Sequence, residues 1–505
     1  MEPSALVREL FAWAHADAAG LMASVLALPV LVPLLGALFA FVMRRWAAAI
    51  GLVTLLALLA TVLLLIPWLL GAGAQGLAVG GWGAPLGVDL YADGLSLAML
   101  LMTAVVGLGI SLYAHSYFRA DPIREQAFWP LWLLLLTALN ALFLSRDLFN
   151  LYVTLEILGL SAVALTALAG GAKALVGAMR YLLVSLLGSL AYLLGIALLY
   201  HAYATVDLAL LAARIDAAPA TWAALALMSA GLILKTALFP LHFWLPPAHA
   251  SAAAPVSAAL SALVIKGSYY LLVRIWLELV QVQSDGVATF LGLLGAGAVL
   301  WGSIQALVQT RLKLLIAYST VAQIGYLFLA FPLAAGTGGL AWSGALYLAL
   351  SHALAKAAMF LAAGNLLRFG GHDRIADLDR VVQRLPLSMA AFALAGVSII
   401  GLPPSGGFIG KWLLLEAALS TGRWGWGIVI MLGGVLAATY VFKVVGFAFT
   451  QAEHPHQAQR VPATMEWVAF ALAVAAVLLG FLVAQPLMLL EIGDPFAAHV
   501  GGMGP

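Results

Sequence analysis

The chain alternates long apolar stretches with short polar breaks along nearly its whole length. Each stretch has about twenty residues or more, which as a helix crosses a hydrocarbon layer roughly 30 Å thick. The pattern therefore predicts an all-α polytopic membrane protein with about fourteen transmembrane helices. The predicted spans are residues 22–43, 47–71, 94–116, 128–145, 148–169, 178–201, 221–244, 253–280, 287–308, 313–333, 340–367, 388–418, 425–450 and 464–489.

Two predicted spans are interrupted by proline. Phe239–Pro247 lies in the seventh span and Gly401–Gly407 in the twelfth. Proline breaks the helical hydrogen-bond ladder, which a membrane helix tolerates only where neighbouring helices or water satisfy the freed groups. The breaks lie an odd number of spans apart, so equivalent helices would cross the membrane in opposite directions. Broken helices in inverted repeats build ion sites near the midplane of transporters, whereas the alternative is a pair of packing kinks.

This spacing divides a single membrane domain, residues 1–505, into four parts. We expect N-terminal helices in residues 1–120 and a first five-helix repeat in 121–280. A second, inverted five-helix repeat is expected in 287–450, followed by a C-terminal helix and tail in 460–505.

Composition excludes several classes of protein. Of the 505 residues, 64% are hydrophobic and only 9% are charged, whereas a soluble domain has about a quarter charged residues. A soluble enzyme is therefore excluded. The net charge of +2 is too small to attract nucleic acid. The chain has no cysteine, so it cannot hold thiolate metal sites or iron–sulfur clusters. We expect no cofactor and no metal, and any redox chemistry would belong to a partner.

The distribution of basic residues predicts the orientation, since short cytoplasmic loops collect Lys and Arg. The first twenty residues lack the order of regions found in a cleaved signal peptide, so the first span is expected to start near Leu21. The basic set of alternating loops then faces the cytoplasm, and both termini face away from it. This set comprises Arg44, Arg45, Arg119, Arg124, Lys173, Arg180, Arg311, Lys313, Arg368, Arg374, Arg380, Arg384 and Arg460.

Five lysines fall inside the apolar spans, whereas most arginines lie in loops or at span ends. An arginine does not release its proton in proteins, whereas a buried lysine can exchange protons near neutral pH. Each such lysine costs on the order of 2.5–3.5 kcal/mol on insertion scales, so a purely structural role is a poor reason to keep them. The intramembrane lysines are Lys235, Lys266, Lys356, Lys411 and Lys443. The last lies near a span end, where we expect it to reach the interface.

An acid and several histidines complete the candidate proton path. Glu156 lies nine residues after Asp147, about 14 Å into its helix. Lys235 lies at a similar depth from the opposite end of its span, so we predict a Glu156–Lys235 pair that controls the proton affinity of Lys266. The alternative is a static ion pair that joins two helices. His352 shares a helix face with Lys356 and is a suitable relay.

Other motifs carry less information. His249 could bridge toward Lys266, although a single histidine in such a helix is more often a packing residue, as is expected for His242. Gly71–Gly76 fits a dinucleotide-binding pattern but follows a membrane helix, so we expect a flexible connection. Glu453–His456 could bind a metal, but an ordinary polar loop is the preferred interpretation.

Several motifs resemble the antiporter-like membrane subunits shared by respiratory complex I and the multi-subunit Mrp-type sodium/proton antiporters. Residues 90–450 carry the resemblance most strongly. Gly81–Val88 and Asp147–Asn150 look more like the Mrp D subunit, and the lysine at position 411 looks like that subunit or the complex I subunit similar to it. Pro247 departs from complex I members and leaves the role of His249 open. The matching segments are Asp147–Glu156, Leu234–Pro246, Ser257–Gly267, Ser351–Lys356 and Gly401–Lys411.

The resemblance implies fourteen helices with two inverted repeats and a line of charged residues through the membrane plane. It implies that Glu156 and Lys235 form the coupling pair, that Lys266 is the central carrier and that Lys411 is the terminal site. His352 is expected to act in proton translocation, with His249 and Lys356 as further relay residues.

We therefore expect a secondary-transporter subunit rather than an enzyme, in a bacterial inner membrane. Its partners would be other hydrophobic subunits, protons and a monovalent cation such as Na⁺. The alternative is a proton-pumping subunit of complex I, an NADH:quinone oxidoreductase, or of a membrane-bound hydrogenase. In a third interpretation, the buried charges only hold a scaffold together.

Overall fold

The computed structural model describes residues 24–280, 285–451 and 459–496. Residues 1–23, including the predicted start of the first span, and the Glu453–His456 segment lie outside these ranges. The first half contains α1 Leu28–Val42, α2 Ala47–Ala72, α3 Gly94–Phe118, α4 Pro122–Leu144, α5 Leu148–Ala167, α6 Gly171–Tyr203, α7 Leu208–Ala212, α8 Pro219–Thr236, α9 Leu245–Ser251 and α10 Ala254–Leu279. The second half contains α11 Asp285–Val308, α12 Leu312–Leu333, α13 Leu340–Gly370, α14 Val381–Arg384, α15 Pro386–Ile400, α16 Gly406–Ser420, α17 Trp424–Phe447, α18 Ala463–Phe481 and α19 Ala484–Leu489.

The helix lengths confirm a polytopic membrane protein. In the described part of the chain, 12 helices are long and apolar enough to cross a membrane. The shorter apolar helices Leu28–Val42 and Pro386–Ile400 bring the number to the fourteen that the sequence predicts. The predicted boundary between the two five-helix repeats, at residues 280–287, stays a prediction.

Both predicted breaks are present. Helix α8 ends at Thr236, the next residue Ala237 has a left-handed φ of 57°, and the chain turns through Phe239-Pro240 before α9 begins. Helix α15 ends at Ile400 and is followed by Gly401, with φ 87°. Ser405 then caps α16 by accepting a hydrogen bond from the Phe408 amide at 3.2 Å. The first break thus begins at Ala237, two residues before Phe239, because Ala237 has already left the helical conformation.

Helices α10, α12 and α13 form the interior of the bundle. The apolar stretch of α10 is buried along its whole length, and α12 and α13 are nearly as enclosed. In helices α2, α17 and α18, by contrast, most residues of the apolar stretch are not fully buried, as expected for helices that face lipid or neighbouring subunits. The lysines on the central helices therefore lie inside the protein.

Two sequence predictions are wrong, one about a connection and one about the end of the last span. The segment after α2 is an antiparallel ribbon, with β1 at Gln75–Ala78 paired to β2 at Asp89–Ala92, rather than a flexible connection. Gly80 and Gly81 supply the positive φ angles of its turn, which non-glycine residues rarely adopt. The last predicted span also ends at Phe481, and α19 follows as a separate short helix.

Candidate functional site

The site begins at Asp147, which starts α5. Its carboxylate accepts a hydrogen bond from the Asn150 amide at 2.7 Å and so caps the helix. Burial raises the pKa of the Asp147 carboxyl above its ordinary value, and the nearby Asp207 adds to this effect. The cap fixes the start of the helix that carries Glu156 inward.

Glu156 and Lys235 lie together, as the sequence predicts. Lys235 Nζ is 3.6 Å from Glu156 Oε1 and donates a hydrogen bond to Ser185 Oγ at 3.0 Å. The side chain of Lys235 is 7% exposed and that of Glu156 is 19% exposed. A cavity of about 20 Å³ adjoins Lys235 and reaches Ser268 on α10, enough for roughly one water molecule. The pair thus joins α5, α6 and α8 beside the helix that carries Lys266.

Glycines allow this approach of α6 and α8. A Cβ on Gly188 would lie 2.8 Å from the Gly231 carbonyl oxygen and 3.1 Å from Lys235 Cγ. A Cβ on Gly231 would in turn collide with the Gly188 carbonyl. Small residues bring membrane helices into close contact, and here they bring Ser185 within reach of the lysine.

Lys266 is 1% exposed and lies just after a π turn at Leu260–Val264 that widens α10. π turns of this kind are frequent at functional sites. The Lys266 ammonium donates to the Ser261 carbonyl in this turn at 2.6 Å, and its Nζ lies 2.6 Å from His352 Nδ1 on α13. The structure therefore joins two of the residues that the sequence proposes.

Lys356 extends the line toward α12. Its Nζ donates to the Ile316 carbonyl at 3.1 Å and is hydrogen-bonded to Ser319 Oγ. His352 and Lys356 lie one helical turn apart on α13, as expected from their spacing. Among the described residues, neither Lys266 on α10 nor Lys356 on α13 is paired with a carboxylate, unlike Lys235.

Lys411 belongs to the second break. Its ammonium donates to the Ile399 and Ile400 carbonyls at 2.8 and 3.1 Å. These are the last carbonyls of α15, where the negative end of the helix dipole favours a cation. The ammonium also lies 4.2 Å from the centre of the Tyr326 ring, a cation–π contact.

The remaining sequence candidates are placed differently. His249 is fully buried and stacks on Phe360 at 4.7 Å, and neither ring nitrogen has a hydrogen-bond partner in the described chain. His352, rather than His249, contacts Lys266. His242 stacks on Phe239. Lys443 donates to the Leu307 and Gln309 carbonyls at the end of α11, and its predicted reach to the membrane interface stays a prediction.

Lys313 corrects the sequence analysis, which counts it among the cytoplasmic loop residues. The residue is 2% exposed, and its Nζ donates to the Ala252 carbonyl at 2.5 Å. It lies in the first turn of α12 and points into the gap between α9 and α10. Arg311 lies two residues earlier in the loop and is also basic, so the sequence pattern assigns Lys313 to the loop as well.

A buried ionic network near the start of α3 is a second feature that sequence reasoning missed. Arg274 donates to both Asp93 oxygens at 2.5 and 2.6 Å, and to Tyr270 Oη at 2.9 Å. Glu278 lies 3.7 Å from Arg274 and 3.1 Å from Arg146. The spacing of four residues between Lys266, Tyr270, Arg274 and Glu278 on α10 could have indicated a shared polar face.

Fold and site together define a multi-pass membrane protein with a line of buried lysines. Residues 145–438 match the family described as NADH:quinone oxidoreductase/Mrp antiporter, transmembrane. Because this match covers more than half of the chain, the protein belongs to that family.

Similar proteins come from both branches of the family. The chain is 40% identical over 377 residues to the N subunit of the NADH-quinone oxidoreductase of Desulforudis audaxviator, covering 74% of each protein. It is 28% identical over 438 residues to the D subunit of the Na(+)/H(+) antiporter of Bacillus subtilis, covering 84% of this chain and 86% of that one.

Solved structures show the same fold. A chain of the Mrp complex from Dietzia sp. DQ12-45-1b superposes with a TM-score of 0.84 and 25% identity, covering 94% of this chain and 99% of that chain. A chain of the membrane-bound sulfane sulfur reductase, an archaeal respiratory membrane complex, gives a TM-score of 0.86 and 26% identity, with coverage of 94% and 98%.

Proposed function

We propose that this chain is the proton-translocating D subunit of a multi-subunit Mrp-type Na⁺/proton antiporter. The observation that carries the proposal is the contact between Lys266 and His352 at 2.6 Å in the fully buried centre of the bundle. A basic pair in this position is costly for stability and is suited to passing a proton.

The Glu156–Lys235 pair controls the central lysine in this proposal. While Lys235 is paired with Glu156, its charge is compensated. When the pair opens, the uncompensated Lys235 repels a charge at Lys266, and the proton moves on to His352. The 3.6 Å separation and the single hydroxyl partner of Lys235 support a pair that can open, since a tighter bidentate pair would favour a static lock.

The proton then passes along α13 and α12 to Lys411. Lys356 is one turn from His352 and relays the proton, and Lys411 at the second break is the terminal site. His249 stacks beside this line on Phe360 and serves as a further relay residue on the way to Lys266.

The 40% identity to the N subunit of an NADH-quinone oxidoreductase favours a second candidate. In that case the same lysines pump protons in a redox-driven complex, and partner subunits supply the electron carriers. This chain has no cysteine for an iron–sulfur cluster, so the partners distinguish the two functions.

The cellular setting follows from the same proposal. The protein would lie in a bacterial inner membrane with both termini on the non-cytoplasmic side, surrounded by other hydrophobic subunits. Protons would be exchanged for Na⁺, and the exposed apolar faces of α2, α17 and α18 are available for lipid or subunit contacts.

The test is to purify the assembled complex under mild conditions, determine its subunits by mass spectrometry and reconstitute it in liposomes. Small hydrophobic partners and Na⁺-dependent proton movement support the antiporter, whereas flavin or iron–sulfur subunits support the redox complex. Lys266→Met should abolish proton movement in either complex. Lys443→Met, which removes a lysine bonded to carbonyls at the end of α11, is the control. Undiminished transport by Lys266→Met would refute the relay and favour a scaffold.

A further inference from the structure

The line of lysines has a gap between Lys356 and Lys411. Polar groups fill this gap on one face of α12, where Ser319, Gln323 and Tyr326 follow at spacings of four and three residues. Ser319 is hydrogen-bonded to Lys356. Gln323 Nε2 donates to the Ile399 carbonyl at 3.2 Å, and Lys411 donates to the same oxygen at 2.8 Å. The two ends of the gap are thus defined by hydrogen bonds.

Tyr440 of α17 points into the middle of the gap. It is fully buried, and its hydroxyl lies beside the side chains of Ser319 and Gln323. This hydroxyl completes no hydrogen bond of good geometry in the described chain, and neither does Gln323 Oε1. Two buried polar groups that complete no well-formed hydrogen bond cost up to about 1–3 kcal/mol each. A purely structural role gives no reason to place both at the same point.

We propose that Tyr440 and Gln323 connect Lys356 to Lys411 as a proton-relay element. The inference rests on the proposed function and adds a residue from α17, outside the helices that carry Lys356 and Lys411. The Tyr440 hydroxyl is the proton carrier, and Gln323 positions it, because an amide side chain does not titrate but both accepts and donates hydrogen bonds.

One proton is transferred in each passage. An N–H bond of the Lys356 ammonium breaks as Ser319 Oγ gains a proton, and the hydroxyl proton of Ser319 passes to the Tyr440 oxygen. The original O–H bond of Tyr440 breaks as its proton moves toward Lys411. The amine of Lys411 then forms the new N–H bond, so Lys356 becomes neutral and Lys411 charged. Rotation of the hydroxyl returns Tyr440 to its starting state. The contact of Gln323 and Lys411 with the same carbonyl orients the final step.

The test is Tyr440→Phe in the reconstituted complex, with Tyr347→Phe as the matched control. Tyr347 is also buried, but its hydroxyl donates to the Leu479 carbonyl and lies outside the lysine line. We expect Tyr440→Phe to slow proton movement by about tenfold or more, with no loss of thermal stability, because no well-formed hydrogen bond is removed. The control should lose some stability and keep its transport rate.

Two further variants separate the possible failures. Gln323→Leu should slow transport as Tyr440→Phe does, whereas Lys266→Met, which removes the central lysine, should abolish transport. If Lys266→Met abolishes transport but Tyr440→Phe keeps the full rate, the relay through Tyr440 is refuted and the proposed function stands. If Lys266→Met also keeps the full rate, the proposed function itself fails.

Discussion

The Asp93–Arg274 pair gives the strongest prediction for stability. The two side chains are only 3% and 8% exposed, and both terminal nitrogens of the guanidinium group donate to the carboxylate. Replacement of one partner of such a pair leaves an uncompensated buried charge, which costs about 3–5 kcal/mol. We therefore expect Asp93→Asn to reduce the free energy of unfolding by about 3 kcal/mol, with Glu278 compensating part of the charge on Arg274.

A second effect adds to the first in Asp93→Ala. Asp93 also caps α3, since its carboxylate accepts from the Ser96 amide at 2.9 Å. Loss of such a cap costs about 1 kcal/mol, whereas asparagine keeps it. The alanine variant should therefore be less stable than the asparagine variant.

The assay is thermal and denaturant unfolding of the detergent-solubilised protein, followed by circular dichroism. Asp93→Asn combined with Arg274→Met should recover most of the stability lost in Asp93→Asn alone, because the unpaired charge is gone. A loss below about 1 kcal/mol in Asp93→Asn, or a double variant as unstable as the sum of the two single ones, would refute this account of the network.

Three further predictions concern the candidate site. Gly231→Ala should force α6 and α8 apart, lower the free energy of unfolding by about 1–3 kcal/mol and remove most of the transport rate. Gly446→Ala, whose Cβ meets no neighbour within 4 Å, should change neither quantity, and equal effects of the two variants would contradict the packing argument. Asp147→Asn keeps the cap of α5 but removes a carboxyl whose proton the folded protein holds more tightly than the unfolded chain does. The parent should therefore lose stability as the pH rises above the ordinary range of an aspartate. The asparagine variant should lack this pH dependence in unfolding measured between pH 4 and 7, and a dependence that persists would place its origin in another group. His352→Phe should slow proton movement by about tenfold or more in liposomes while leaving Lys266 bonded to its carbonyl, and an unchanged rate would remove this histidine from the path.

Much of the fold could be predicted from the sequence, because a membrane makes each span an independent and visible unit. Hydrophobic length locates the helices, and proline locates both breaks. The Glu156–Lys235 contact was also predictable, since the sequence places each residue at a similar depth from an end of its own predicted span. Depth is the one coordinate that a single sequence supplies for a membrane helix.

Contacts within the membrane plane were not predictable in the same way. Asp93 and Arg274 are 181 residues apart, and no pattern in the sequence pairs them. The choice between His249 and His352 as the neighbour of Lys266 likewise depends on how α10 packs against α13. Lys313 shows a third difficulty, because residues at the start of a helix look like loop residues when charged neighbours surround them.

The kinds of partner that the lysines have bear on how a proton could move among them. Lys266 and Lys411 are bonded to main-chain carbonyls where a helix is irregular, at the π turn and at the end of α15. A carbonyl dipole stabilises an ammonium but also tolerates a neutral amine, whereas a carboxylate holds the charged form far more strongly. Within the proposed function, Lys235, whose partner is Glu156, is therefore suited to a switch with two distinct states. The carbonyl-bonded lysines are suited to gain and lose a proton in each cycle. Replacement of Glu156 by glutamine should then impair the timing of transport along the line rather than remove the line itself, and a proton leak without Na⁺ coupling is the outcome that this argument requires in reconstituted liposomes.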